Sequence, residues 1–193
     1  MMKDRIAGVI RKITVPPVLA AAMLLIFRMT FGESFISWSL LAAEMLFLVL
    51  VPVSAYPISM RKDAKNGGRE SQRKLAFIMN LFGYGCALAA GIAGNGSQML
   101  LAVLWGYFLA VILLTLLNKL AGIRASGHAC SCTLPYLFFC RYLGIEAVFA
   151  CLLLYLAEFW AFVRLKRHTA KEFLLGSLTA LFSFFCVEFF HVA

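Results

Sequence analysis

The sequence predicts an all-α integral membrane protein, a bundle of six to seven transmembrane helices with three polar loops at one membrane face. Hydrophobic residues make up 63% of the 193 residues, against about 45–50% in an average soluble domain. Charged residues make up only 14%, and they gather in short segments between long apolar runs. Most of these runs approach the ~20 residues that cross a bilayer as a helix. We therefore expect a single integral membrane domain over residues 1–193.

The N-terminal segment, residues 1–14, is basic and juxtamembrane. Ile6, Val9, Ile10 and Ile13 fall roughly on one side of a helix, a pattern typical of a helix that lies on the membrane surface. The next run has the composition of a signal-peptide core, but further apolar runs follow at once. An uncleaved first transmembrane helix is therefore expected.

Seven apolar runs are candidates for membrane spans. They cover residues 15–31, 35–59, 75–93, 99–117, 129–141, 144–163 and 173–190. The fifth run is short and contains Pro135, which indicates a kinked helix. The six cysteines show no spacing typical of a disulfide framework, and we expect all of them to be reduced.

Three polar segments interrupt the runs: a hydrophilic loop at residues 60–74 and two motif segments at residues 118–128 and 164–172. When the crossings are counted from the N-terminus, all three segments fall on the same side of the membrane as the N-terminus. The other side receives only short turns and the C-terminus. This distribution predicts one site assembled from the three segments.

The first segment contains Lys62 and Arg69, with two glycines between them. Two cations on a flexible loop suit a phosphate group. The plainer interpretation is that these are juxtamembrane charges, which set the topology or meet anionic lipid headgroups.

The second segment places Ser126, Gly127 and His128 at the start of the fifth run. A helix N-terminus offers unpaired N–H groups and the positive end of the helix dipole to an anion. Gly127 permits a close approach of the backbone, and His128 is a candidate general acid. The plainer interpretation makes Ser126 an ordinary N-cap and His128 an interfacial residue. A zinc site of His128, Cys130 and Cys132 is disfavoured, because a helix spreads alternate positions over different faces.

The third segment spaces Arg164, His168 and Glu172 by four residues. This spacing predicts one shared helical face. A carboxylate beside an imidazole fixes its tautomer and makes the other ring nitrogen a better base or nucleophile. The plainer interpretation is a basic membrane boundary that happens to contain a histidine.

In this order, Lys-x6-Arg, Ser-Gly-His and His-x3-acid resemble the type 2 phosphatidic acid phosphatase superfamily over about residues 62–176. Its members include integral membrane lipid phosphate phosphatases and soluble haloperoxidases. The family pattern is Lys-x6-Arg-Pro, Pro-Ser-Gly-His and Ser-Arg-x5-His-x3-Asp. The chain departs from this pattern at Glu70, Ala125 and Glu172. It departs most markedly at Phe162, where the third motif has its arginine. Either Arg164 reaches the site by another route, or Arg167 or Arg124 takes the role, or the site is impaired.

The resemblance implies hydrolysis of a lipid phosphate or diphosphate through a phosphohistidine, with phosphatidate, phosphatidylglycerol phosphate or an isoprenyl diphosphate as substrate. The implied catalytic residues are His168 as nucleophile, Glu172 as its orienting acid and His128 as general acid and base. The implied phosphate-binding residues are Lys62, Arg69, Ser126, Gly127 and Arg164. No cofactor or metal ion is implied. The expected partners are the lipid phosphate and membrane lipids, with no nucleic acid, and the oligomeric state is open.

Two alternatives remain open at this point. One is a non-catalytic relative of the same fold. The other is a small transporter of lipid or solute, for which Glu44 and Glu158 inside the predicted spans are the candidate residues, because ionisable groups in a span are commonly functional.

The basic residues predict the orientation. All of the 18 Lys and Arg residues except Arg28 and Arg141 fall on the N-terminal side. The positive-inside rule places that side in the cytoplasm. We therefore expect a protein of the bacterial plasma (inner) membrane, with a cytoplasmic N-terminus and active site and an external C-terminus.

Overall fold

The computed structural model describes residues 2–63 and 69–190, without the side chains of Tyr56 and residues 59–73. The ordered elements in this part of the chain are helices, which confirms the all-α prediction. They are α1 (Met2–Ile13), α2 (Pro16–Phe31), α3 (Trp38–Glu44), α4 (Val51–Asp63), α5 (Arg69–Ala93), α6 (Gln98–Thr115), α7 (Gly127–Leu143), α8 (Ile145–Arg164) and α9 (Ala170–Phe190). A π-helical turn, Met45–Leu50, joins α3 to α4, and a second, Leu116–Leu120, extends α6.

Six helical stretches in the described residues are long and apolar enough to cross a membrane, which confirms an integral membrane bundle. They are Pro16–Ser34, Trp38–Ala55, Lys74–Ala93, Gln98–Leu120, Ile145–Arg164 and Ala170–Phe190. Helix α7 has 17 residues and runs parallel to α9 over its whole length. The Ser126 N–H donates to the Glu172 carbonyl just before α7, at 2.9 Å, Thr133 donates to Ser177 near its middle, at 3.2 Å, and Arg141 meets Glu188 near its end, at 2.7 Å. Helix α7 therefore joins the same two ends of the bundle as the six longer stretches.

The two ends of the bundle differ in what they contain. One end, here called the site end, holds the first residues of α2, α5 and α7 and the last residues of α6, which line one shared cavity together with His168. The end of α8 and the start of α9 lie at the same end, because Phe162 packs against His128 and the Glu172 carbonyl accepts a hydrogen bond from the Ser126 N–H. The opposite end holds the short turns, where Ser97 donates a hydrogen bond to the Phe35 carbonyl at 2.6 Å. The three predicted polar segments all belong to the site end.

The predicted boundaries of the polar segments need correction. Helix α4 runs to Asp63 and α5 begins at Arg69, so much of the predicted loop at 60–74 is helical. Residues 64–68 of that loop lie outside the described residues. Helix α7 begins at Gly127, inside the second predicted segment. Helices extend past the apolar runs because backbone hydrogen bonds do not require apolar side chains.

Helix α1 packs along the last turns of α8. Ala7 is completely buried, and Arg164 at the end of α8 pairs with Asp4. Ile6, Val9 and Ile13 are exposed on the other side of α1, which agrees with the predicted lipid-facing stripe. The N-terminal segment therefore covers the site end from the side of α8.

The first turns of α7 and α9 are locked together. The Ser126 N–H donates to the Glu172 carbonyl at 2.9 Å. A β-carbon at Gly176 would overlap the Ser126 carbonyl oxygen, so only glycine allows the two chains to approach this closely. The Asn118 amide also holds the backbone of Ala125, with two hydrogen bonds of 3.2 Å. These contacts fix the loop that precedes α7.

We expect Gly176→Ala to destabilise the protein by about 1–3 kcal/mol, because an added β-carbon forces the backbone out of a packed contact. Gly8→Ala is the matched control, because a β-carbon at Gly8 meets nothing within 4 Å. Thermal unfolding of both variants in detergent measures the difference. Equal melting temperatures for the two variants would contradict the close approach at Ser126.

Candidate active site

The third motif segment is not one continuous helix. Helix α8 ends at Arg164, Lys166 adopts a positive φ of 51°, and α9 begins at Ala170. The prediction that Arg164, His168 and Glu172 share one helical face is therefore wrong. The chain turns between the first residue and the other two.

A new helix starts here because Thr169 and Glu172 form a capping box. The Thr169 N–H donates to Glu172 Oε2 at 3.2 Å, and the Glu172 N–H donates to Thr169 Oγ1 at 3.1 Å. The same Glu172 Oε2 lies 3.2 Å from His168 Nδ1. A carboxylate only accepts hydrogen bonds, so His168 Nδ1 carries a hydrogen, and in the neutral imidazole Nε2 is the unprotonated nitrogen. Arg124 Nε is 3.8 Å from the other carboxylate oxygen.

The second histidine, His128, is held in the first turn of α7. The Thr14 carbonyl accepts a hydrogen bond from its ring. Its Nε2 is buried and has no hydrogen-bond partner among the described residues. A buried ring nitrogen without a partner is costly, so this atom is a candidate contact for a ligand.

Both histidines line one cavity of about 170 Å³ at the site end. Its walls come from α5, α6 and α7, with Pro16 from the start of α2. The other lining residues are Ala76, Phe77, Asn80, Tyr84, Tyr107, Ala110, Val111, Leu114, Gly127 and Ser131. The cavity thus places two imidazoles at the end of a mostly apolar space.

Phe162 lies between the two histidines and is almost completely buried. Its ring centroid is 4.4 Å from that of His128 and 6.0 Å from that of His168. The residue six positions before His168 is therefore in contact with both histidines. A phenyl ring occupies this position in place of a guanidinium.

Ser126 and Gly127 have different surroundings. Ser126 is completely buried, and its Oγ accepts a hydrogen bond from the Ala129 N–H at 3.2 Å. It is thus the N-cap of α7, which is the plainer of the two interpretations. Gly127 lines the cavity, and a β-carbon there would meet only Leu114, at 3.9 Å.

Arg164 is not brought into the site. Its Nε donates to Asp4 Oδ1 at 3.1 Å, and it does not line the cavity. This hydrogen bond holds the pKa of Asp4 below its usual value. The expected phosphate contact from Arg164 is corrected accordingly: the end of α8 faces α1, because the chain turns before His168.

The two cations of the first motif lie at helix ends, but their side chains are outside the described residues. Lys62 is in the last turn of α4, and Arg69 is the first residue of α5. Arg69 precedes Ala76, a cavity-lining residue, by seven positions, which is about two turns on nearly the same face of α5. No Lys or Arg occurs among the described residues that line the cavity.

The described residues contain no group of three or more His, Cys, Asp or Glu side chains arranged to hold a metal ion. Cys132 donates to the Thr14 carbonyl at 3.2 Å, and Cys130 is completely buried.

Sequence reasoning missed the deeper part of the cavity. Asn80, Tyr84 and Tyr107 lie inside apolar runs and belong to no motif. The available signal was the spacing of four between Asn80 and Tyr84, which puts two polar side chains on one face of a span.

No family model, no curated protein and no solved structure matches this chain. The likeness to the phosphatase superfamily consequently rests on the sequence motifs alone.

Proposed function

We propose that this protein is a membrane lipid phosphatase, which hydrolyses a phosphate or diphosphate monoester through a phosphohistidine. One observation carries the proposal: two histidines from separate motifs line one cavity, and one of them is bonded to a carboxylate four residues on. An imidazole oriented by a carboxylate is a good nucleophile. The candidate substrates are phosphatidate, phosphatidylglycerol phosphate and isoprenyl diphosphates.

In the proposed reaction, His168 Nε2 attacks phosphorus and forms an N–P bond while the ester P–O bond breaks. Glu172 holds the proton on Nδ1 and stabilises the positive ring. The negative charge of the bound phosphate favours the imidazolium form of His128. In this form His128 gives its second proton from Nε2 to the leaving oxygen, and the neutral ring then takes a proton from the attacking water. Water cleaves the N–P bond, which releases phosphate and restores His168. General acid catalysis of this kind contributes about 10²–10⁴-fold to the rate.

The charge on the phosphoryl oxygens needs cations, because phosphoryl transfer depends mainly on positioning and electrostatic stabilisation. We assign this role to Lys62 and Arg69, together with the Gly127 N–H. The position of Gly127 in the cavity wall and the register of Arg69 above Ala76 support the assignment. Ser126 contributes by holding the start of α7 in place.

A non-catalytic lipid-phosphate-binding relative is the second candidate. The observation that favours it is Phe162, whose apolar ring stands between the histidines where the family has an arginine. Transport has weaker support. Neither Glu44 nor Glu158 lines the cavity, although both are buried among the described residues.

We expect His168→Ala to remove phosphate release from purified protein and His128→Ala to slow it by about 10²–10⁴-fold. A panel of lipid phosphates, with and without chelator, measures the rates. His191→Ala is the matched control, since this histidine belongs to none of the three motifs.

Phosphate release by His168→Ala at more than a few per cent of the wild-type rate would contradict the proposed nucleophile. Lipid phosphate binding by the wild type without any turnover would instead favour the non-catalytic relative. In that case Phe162→Arg is the variant to measure, because it places an arginine six residues before His168, as in the family pattern.

We further propose that the site end faces the cytoplasm of a bacterial cell, in the plasma (inner) membrane. The basic residues of the described ranges gather at this end, except for two arginines at the opposite end. Each of these is paired with a carboxylate, Arg28 with Glu33 at 2.6 Å and Arg141 with Glu188 at 2.7 Å. The positive-inside rule then gives a cytoplasmic N-terminus and an external C-terminus.

We expect a membrane-impermeant thiol reagent on intact cells to label Glu146→Cys and not Ala121→Cys, in a background without the six native cysteines. Both positions are exposed, Glu146 in the first turn of α8 at the opposite end and Ala121 after α6 at the site end. Labelling of Ala121→Cys alone would reverse the orientation. Permeabilised cells are the control, because both positions should then be labelled.

A further inference from the structure

The cavity extends well below the histidines. On α6 it is lined from Leu114, which lies beside Gly127, to Tyr107. With a rise of 1.5 Å per residue, these seven positions span about 10 Å along the bundle axis. On α5 the lining from Ala76 to Tyr84 spans about 12 Å. The histidines therefore stand at one end of an elongated space, and two tyrosines stand at the other.

The deep end carries a polar atom that the fold leaves without a partner. Tyr107 is 1% exposed, and its hydroxyl has no hydrogen-bond partner among the described residues. Its ring packs edge-on against Tyr84, with centroids 5.2 Å apart. Buried tyrosine hydroxyls normally find a partner. Together with His128 Nε2, this cavity has one unpartnered polar atom at each end.

The walls between the two ends are mainly apolar. Ala110, Val111 and Phe77 line this middle part, with Asn80 and Ser131 as its polar groups. A ligand that satisfies both ends must therefore carry a phosphate and, within about 10 Å of it, a second oxygen acceptor. A purely hydrocarbon segment beside Tyr107 would leave the hydroxyl unpaired, which opposes binding.

We propose that Tyr107 is a specificity-determining residue, whose hydroxyl donates a hydrogen bond to an ester or glycerol oxygen of a lipid phosphate. The inference rests on the proposed function for the position of the phosphate at the histidines. It adds that lipids with oxygens next to the phosphate are preferred over lipids whose phosphate is attached directly to a hydrocarbon chain. The order of groups along the cavity, phosphate at the site end and ester oxygen deeper, matches their order in a glycerolipid across a membrane leaflet.

The test is binding of two phosphonate analogues, in which a C–P bond prevents hydrolysis. One is a dioctanoyl glycerol phosphonate, and the other is an alkyl phosphonate of similar chain length. We expect wild-type protein in detergent to bind the glycerol analogue more tightly, and Tyr107→Phe to reduce that preference by about 2–10-fold, the range for one net hydrogen bond. Affinity for the alkyl analogue should not change. Tyr142→Phe at the opposite end of the bundle is the control.

Melting temperatures measured without ligand distinguish a Tyr107 hydroxyl that recognises the ligand from one that stabilises the fold. Because the Tyr107 hydroxyl has no partner, Tyr107→Phe should unfold at or above the wild-type temperature. A lower melting temperature together with weaker binding of both analogues would overturn the proposal in favour of a structural hydroxyl. An unchanged preference would also overturn it, and would mean that the deep end holds only water.

The outcome is independent of turnover. A preference that depends on Tyr107 in a protein that releases no phosphate would leave this inference standing and reject the phosphatase proposal. Phosphate release from both lipid classes at equal efficiency, unaffected by Tyr107→Phe, would support the phosphatase proposal and reject the role of Tyr107.

Discussion

The site depends on one junction, the contact between the first turns of α7 and α9. The Ser126 N–H bonds to the Glu172 carbonyl, and the glycine at position 176 lets α9 pass against the Ser126 carbonyl. His128 follows Ser126 by two residues and His168 precedes Glu172 by four, so the same contact that joins the helices also sets the positions of the imidazoles. The capping box at Thr169 then directs the Glu172 carboxylate towards His168. Two ordinary helix starts thus produce a pair of histidines in one cavity.

Phe162 decides what this pair of histidines can do. An arginine at this position would bring a cation next to both rings, where the proposed reaction develops phosphoryl charge. The phenyl ring instead packs against both imidazoles. Because Arg164 is bonded to Asp4, the proposed reaction takes its positive charge from Lys62 and Arg69, at the end of α4 and the start of α5. This arrangement makes the first motif more important here than in a site that keeps its third-motif arginine.

The spans were predictable because hydropathy and helix length are properties of the sequence alone. The predicted runs and the observed helices agree to within a few residues at most ends, and α7 is helical through Pro135 as expected. The pairing of His168 with Glu172 also followed from a spacing of four. The position of Arg164 could not be predicted in this way, because a spacing of four implies a shared face only in a continuous helix. The chain turns at Lys166, and this turn separates Arg164 from His168 and Glu172. Tyr107 was missed for a different reason: in an apolar run, the residues that line a cavity cannot be distinguished from those of the packed core, since both are mainly apolar.

The central claim is that His168 carries the phosphoryl group and His128 serves the leaving oxygen and the water. It is tested most directly with His128→Ala and an aryl phosphate whose leaving group needs little protonation. The first step should then proceed while water attack is slow, so that an alkali-stable, acid-labile phosphoramidate accumulates on the peptide that contains His168. The same treatment of the variant that also carries His168→Ala should give no label. Label on any other residue, or turnover of the aryl phosphate without a trapped intermediate, would contradict the account.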